Sequence, residues 1–266
     1  MPMNNSFSIS QIPLSRIATF DIFSVGLTRH HVAALLEFDV TTARQKIRKA
    51  RRNGRKISFN SWLLRVIAVS VQEHPEVASY LNSKSKLLVF DSINISVLIE
   101  KRIGDKLVPI PYVLIDAAQK SAEEISLEIE QARNAEIKEG ETLIQRNLSL
   151  YEKLYYRLPG FLRRLVWRLM LKKPQFIFSK MGNISVTSLG TTARLNGWFV
   201  HRSVHPLSFG FGSVIKKPVV IDDKVAVREI LNSTILLDHD VVDGAPMARF
   251  IDCLSEKIIN GAGIED

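Results

Sequence analysis

The sequence predicts an α/β or α+β fold built as one domain over residues 1–266. Three observations support this. Segments with strand-like and helix-like patterning are interspersed along the chain rather than segregated into halves. A length of 266 residues is ample for a buried core. The composition, 46% hydrophobic and 24% charged, is that of an ordinary globular protein. No internal repeat, low-complexity tract or long linker divides the chain.

Ile12 to Thr28 opens with a proline and mixes apolar and polar residues, which reads as a short strand or an N-terminal arm. His31 to Val40 fits strand or helix by pattern alone. Thr41 and Thr42 are N-cap candidates for a strongly basic helix running to Arg52 and stopped by Asn53-Gly54. Ser58 to His74 reads as a helix, with Leu63, Val66, Ile67, Ser70 and Val71 on one buried face. Pro75 ends it. Strands follow over Lys86 to Phe90 and Ile93 to Glu100, then a turn at Gly104-Asp105 and a strand over Leu107 to Pro111. Ser121-Ala-Glu-Glu124 forms a capping box that starts a helix to Ala135. Leu143 to Met170 reads as helical and broken near Pro159-Gly160. Ile184 to Thr187, Ser208 to Ile215 and Lys224 to Asp238 supply further strands. Ala245 to Ile259 is the last helix, with Met247, Phe250, Ile251, Leu254 and Ile258 on one face.

One cysteine excludes an internal disulfide framework and a cysteine-rich zinc site, and no metal is expected. No apolar run reaches the ~18 residues of a membrane-spanning helix, and Met1 to Gln11 lacks the pattern of a secretory leader. These features indicate a cytoplasmic protein. The net charge is +9, which points to an anionic partner. Thr41 to Ser58 and Lys153 to Lys180 each hold eight basic residues and no acidic one, so the rest of the chain is net acidic. The first stretch reads as a solvated helix face, as a set of contacts to the phosphates of a ligand, or as a nucleic-acid surface. No helix-turn-helix, zinc-finger or RNA-recognition pattern supports the last, and no nucleic-acid partner is expected.

The stretch richest in chemistry is Asp238-His239-Asp240-Val241-Val242-Asp243-Gly244. An apolar strand, Ile235 to Leu237, runs into a histidine; an aspartate stands four residues on, and a glycine opens a helix. A strand end of this kind presents the histidine at a cleft while the turn brings the aspartate back to support the loop.

His239-x-x-x-Asp243-Gly244 resembles the active-site motif of the dihydrolipoamide acyltransferase cores of 2-oxo acid dehydrogenase complexes, shared by chloramphenicol acetyltransferase. Ile12-Pro-Leu-Ser15, Phe38-Asp-Val-Thr41, Glu73-His-Pro-Glu76, Ile93-Asn-Ile95, Leu107-Val-Pro109 and Lys120-Ser121 with Glu124-Ile125 are similar to segments of that family, in its order. So is Gly182-Asn-Ile-Ser-Val-Thr-Ser-Leu-Gly190. The resemblance covers most of Ile12 to Ile259. It implies a chloramphenicol acetyltransferase-like, two-layer α+β sandwich, a mixed sheet with helices on one face. It also implies acyl transfer between coenzyme A, entering as acyl-CoA, and a thiol acceptor. His239 would be the general base that makes a thiolate, a role worth roughly 10²–10⁴-fold. Thr187 would donate its hydroxyl to the oxyanion, with its neighbour Ser188 as second candidate. Asp243 would orient the loop. No acyl-enzyme is implied, and Cys253 reads as a packing residue in the last helix. A lipoyl group would come from another protein, since only eleven residues precede Ile12 and no lipoyl or subunit-binding domain is expected. The implied minimum assembly is a homotrimer, with His239 of one copy facing Thr187 of the next.

Two positions depart from the family pattern. Asp240 stands where an arginine usually follows the histidine, and Ala18 stands where an arginine can pair with the motif aspartate, Arg16 being two places early. A carboxylate beside His239 would favour its imidazolium and move the base to higher pH. The alternative is a non-catalytic trimeric scaffold, or a membrane-surface protein that keeps the fold. Tyr151 to Lys180 bears on that choice. This insertion, at about 145–180, interleaves Tyr, Phe, Leu, Trp and Met with cations. It reads either as a cationic helix lying on an anionic membrane surface, which would place the protein at the inner membrane face, or as an elaboration packed on protein.

Overall fold

The computed structural model describes residues 14–83, 85–103, 106–135, 150–190 and 196–264, with the isolated positions 8 and 12. Six strands form a mixed sheet. They are β1 (His31–Asp39), β4 (Ile95–Ile103), β5 (Lys106–Leu114), β6 (Ile184–Ser188), β7 (Leu207–Ile221) and β8 (Lys224–Asp238), in the spatial order β1-β8-β7-β6-β4-β5. The β1–β8, β7–β8 and β4–β5 pairs are antiparallel. The β4–β6 and β6–β7 pairs are parallel. Two short strands, β2 (Tyr80–Ser83) and β3 (Lys86–Leu88), make a separate hairpin.

Four helices cover one face of the sheet: α2 (Thr41–Arg52), α3 (Phe59–Glu73), α4 (Ala122–Asn134) and α8 (Gly244–Asn260). The core lies between the layers. Ile95, Ile184, Leu207, Phe209, Ile235 and Leu237 of the sheet meet Trp62, Ile67 and Val71 of α3, Ile125 of α4, and Phe250 and Leu254 of α8. Each such side chain, removed from water, contributes about 1.5–3 kcal/mol. Ser58 caps α3 by accepting from the Ser61 amide at 2.9 Å, and the capping box of α4 is present, with Ser121 as its cap.

Several elements differ from the sequence expectation. Ile12 to Thr28 is not a strand or an arm. Leu14–Gly26 is a helix, α1. Ile17, Ala18, Asp21, Ile22 and Val25 recur at helical spacing along its less exposed side. α2 starts at Thr41 itself, with Val40 at the cap position and no side-chain cap. Asp39 takes the Thr41 amide at 2.9 Å, while the Thr41 hydroxyl accepts from the Glu229 amide at 2.8 Å. The hairpin strand β2 has no counterpart in the sequence reading. The turn at Gly104-Asp105 and the start of the Leu143–Met170 helix lie outside the described residues. From there the chain forms α5 (Leu150–Arg157), α6 (Gly160–Leu171) and α7 (Pro174–Met181).

Candidate active site

Strand direction decides where the candidate residues fall. β6 is parallel to β7, and β8 is antiparallel to it. Ile184, Leu207 and Leu237 share one row across the sheet. Thr187 lies three residues beyond that row in one direction, and His239 lies two residues beyond it in the other. At ~3.3 Å per residue and ~4.8 Å per strand, the two are roughly 15–20 Å apart within one copy of the chain. An oxyanion donor must approach the reacting oxygen to about 3 Å. Within one copy of the chain the two residues therefore lie apart, as two candidate half-sites.

The first half-site is the turn after β8. His239 is exposed there, and its backbone amide donates to the His30 carbonyl at 3.0 Å. Asp238, 0% exposed, organises the turn. Its carboxylate accepts from Arg29 Nη1 at 3.1 Å and from the Asp240 amide at 3.2 Å. Its carbonyl accepts from the amides of Val241 and Val242. Asp240 turns to His30 and accepts from its Nδ1 at 2.9 Å. This hydrogen bond, reinforced by the carboxylate charge, raises the His30 pKa above its ordinary 6.5. The imidazolium that Asp240 favours in the structure is thus that of His30. Asp243 occupies the N-cap position of α8 with no side-chain cap bond, and it is exposed. Asp238, not Asp243, supplies the bonds that hold the loop. Ala18 lies on α1 without a charge to offer, and Arg29 is the arginine that meets an aspartate of the motif. The sequence reading missed Arg29-His30-His31. The signal was three cation-capable residues at the head of a strand whose antiparallel partner ends in Asp-His-Asp; the register pairs His31 with Asp238.

The second half-site is the end of β6. Glycines bracket the strand. Gly182 has φ +73°, and a Cβ there would lie 2.3 Å from the Asn94 carbonyl oxygen; at Gly190 it would lie 2.3 Å from that of Gly212. Side chains would push β6 off its neighbours at both ends. Thr187 and Ser188 line a cavity of about 430 Å³ together with Ser58, Val97, Arg133 and Phe211.

Thr187 shares its sheet face with Ser185 and Ser208, opposite the helices. A buried polar cluster lies on this face. The Ser185 and Ser208 hydroxyls are 2.6 Å apart, and His201 Nε2 is 2.6 Å from Ser208 Oγ. His205 Nε2 donates to the Met181 carbonyl at 3.0 Å. Burial pushes both imidazoles down to about 4. Nothing in the motif reading pointed to these two histidines.

The two basic stretches fare differently. Arg44 and Arg48 of α2 clamp Glu229, and Arg55 pairs with Glu123. These cations serve the chain's own carboxylates. In the second stretch, Arg163 and Tyr155 both donate to Asp21 of α1, at 2.7 and 2.9 Å, and the Trp167 indole donates to Tyr155 at 2.9 Å. Arg163 therefore fastens α6 to α1, and Trp167 fastens α6 to Tyr155 of α5, which itself reaches Asp21. Cys253 lies on α8 against Glu73, where burial pushes its thiol up.

A family model for 2-oxoacid dehydrogenases acyltransferase (catalytic domain) matches residues 26–142 and 180–263. The chain is 22% identical over 244 residues to the dihydrolipoyllysine-residue acetyltransferase component of the pyruvate dehydrogenase complex of Corynebacterium glutamicum. The match covers 88% of this chain and 30% of that protein. Among solved structures, the cubic core of the pyruvate dehydrogenase multienzyme complex is similar with a TM-score of 0.66 and 20% identity, over 99% of this chain and 97% of that one. The Azotobacter vinelandii dihydrolipoamide acetyltransferase is similar with a TM-score of 0.65 and 19% identity, over 99% of both chains; that structure concerns the role of a serine, a histidine and an asparagine in its mechanism. At this identity the likeness establishes the fold.

Proposed function

The chain belongs to the 2-oxoacid dehydrogenase acyltransferase family (catalytic domain), and from that premise we propose that it transfers acyl groups between coenzyme A and a thiol at a site completed by two copies. One observation carries this reading. The exposed histidine and the hydroxyl-lined cavity sit at opposite ends of the same sheet, each an incomplete site. A closed ring of identical copies, a homotrimer at the least, sets His239 of one against the Thr187 cavity of the next. The spacing of the serine, histidine and asparagine in the Azotobacter vinelandii enzyme supports the assignment, since Thr187, His239 and Asp243 have the same separations along this chain.

Each residue then has a defined task. His239 removes the proton of the attacking thiol, and the thiolate adds to the thioester carbonyl. The Thr187 hydroxyl donates to the oxygen of the tetrahedral adduct, with Ser188 beside it. The leaving thiolate recovers the proton from His239. Asp238, held by Arg29, fixes the turn that presents His239. The lipoyl group, where it is the acceptor, arrives on another protein.

Thiol release from acetyl-CoA in the presence of dihydrolipoamide tests this directly. His239→Ala should lower turnover by at least ~10²-fold while leaving the circular dichroism spectrum unchanged. Equal rates for wild type and variant from pH 6 to 9 would exclude His239 as the base. Absence of turnover in both would favour a non-catalytic scaffold.

A further inference from the structure

We infer that the groove between α1, the β2–β3 hairpin and α6 takes the acyl chain of the substrate, so that the protein prefers thioesters of medium or long chains on an anionic thiol carrier. This rests on the acyl-transfer reading above.

The groove encloses about 670 Å³, and its lining includes Leu81, Leu165, Leu169, Arg168, Lys172 and Asp240. That volume is typical of small-molecule sites. Its position is specific. Asp240, the residue after His239, and Arg29, which holds the same turn through Asp238, both line the groove. Its α6 wall lies between the two stretches that match the family model.

The chemistry of the wall is amphiphilic. Leu165 and Leu169 form a helical stripe, 46% and 53% exposed. Arg164, Arg168 and Lys172 form the adjacent stripe at the same spacing. Arg168 and Lys172 have no ion-pair partner among the described residues, unlike Arg44 and Arg48 of α2. An apolar wall beside unpaired cations suits a ligand with a hydrocarbon chain and a negative headpiece. The wall is also fixed in place. Asp21, 2% exposed, receives Arg163 and Tyr155 and joins α6 to α1. A bilayer offers the same chemistry, but Leu165, Arg168, Leu169 and Lys172 face a concave groove, which a flat surface does not fill.

Calorimetric titration of acetyl-CoA and octanoyl-CoA into the full chain carrying His239→Ala, which prevents turnover, provides the test. Each methylene laid against apolar side chains tightens binding by roughly fourfold at most. Octanoyl-CoA should therefore bind at least tenfold more tightly than acetyl-CoA. Leu165→Glu with Leu169→Glu, both at exposed positions, should bring that ratio close to one. Leu169→Trp, which fills the groove without adding charge, should do the same. Equal affinities for the two thioesters in the unmodified groove would overturn the inference, as would a preference that survives both changes. If acetyl-CoA binds and is turned over by wild type without chain-length preference, the inference fails alone. If no acyl-CoA binds, the acyl-transfer reading falls with it. Sedimentation with phosphatidylglycerol vesicles that is lost in the double glutamate variant, together with equal thioester affinities, would assign this face to a membrane surface instead.

Discussion

Acid should destabilise the fold through His205 before most carboxylates titrate. Its imidazole is buried against the Met181 carbonyl, and burial holds its pKa at about 4 against an ordinary 6.5. Between those values the unfolded chain binds a proton that the folded chain refuses. Stability therefore rises with pH across this window and is lost as pH falls from 6.5 toward 4. The slope is ~1.4 kcal/mol per pH unit, and the full window is worth roughly 3 kcal/mol. Urea unfolding followed by circular dichroism at pH 7, 6 and 5 reads this out, at one fixed protein concentration because assembly shifts apparent stability. His205→Gln keeps a donor for Met181 and removes the titration. The variant's loss of stability between pH 6 and 5 should be smaller than that of wild type by about 1 kcal/mol. A slope remains in the variant, because burial lowers His201 in the same way. Parallel pH profiles for wild type and His205→Gln would refute the argument.

His30 should titrate above its ordinary range because Asp240 accepts from it. Its contribution is present below pH 6.5 and lost as pH rises through the raised value. In an NMR titration Asp240→Asn should return the His30 midpoint toward 6.5; an unmoved midpoint would contradict the pairing. Asp21→Ala leaves Arg163 without its carboxylate in a buried setting, and loss of one partner of such a pair costs about 3–5 kcal/mol. Limited proteolysis should then cleave within α5–α6 well before it cuts the sheet, and an unchanged digestion pattern would show that the Asp21 contacts do not hold α6. Thr187→Val, which keeps the shape of a strand residue, should lower acyl transfer by roughly 10²-fold, while a rate within twofold of wild type would remove the hydroxyl from the mechanism.

Elements with strong local signals were legible in the sequence. α3 and α8 carry unbroken apolar stripes, and α4 carries a capping box, so their faces and starts follow from side-chain chemistry alone. α1 was misread because the solvent side of its helix is also apolar: Phe20 and Phe23 stand exposed and mask the stripe formed by Ile17, Ile22 and Val25. Thr41 does not serve as a cap because its hydroxyl accepts from the Glu229 amide of β8, while Asp39 takes the Thr41 amide. The site was legible in its residue types and not in its partnerships. The pairing of Arg29 and His30 with Asp238 and Asp240 depends on which strand lies beside β8, a fact of topology that no local pattern encodes. The burial of His201 and His205 depends likewise on tertiary packing of residues 196–206 rather than on any local pattern.

Complementation between inactive variants tests the central claim most directly. His239→Ala and Thr187→Val would each be purified, dissociated reversibly, mixed in equal amounts and reassembled. If His239 of one copy works with Thr187 of the next, a share of interfaces in the mixed assembly regains both groups, and acyl transfer returns to a quarter or so of the wild-type rate in a randomly mixed ring. Recovery no greater than the sum of the two variants alone, from assemblies shown to be mixed by mass, would contradict a site shared between copies.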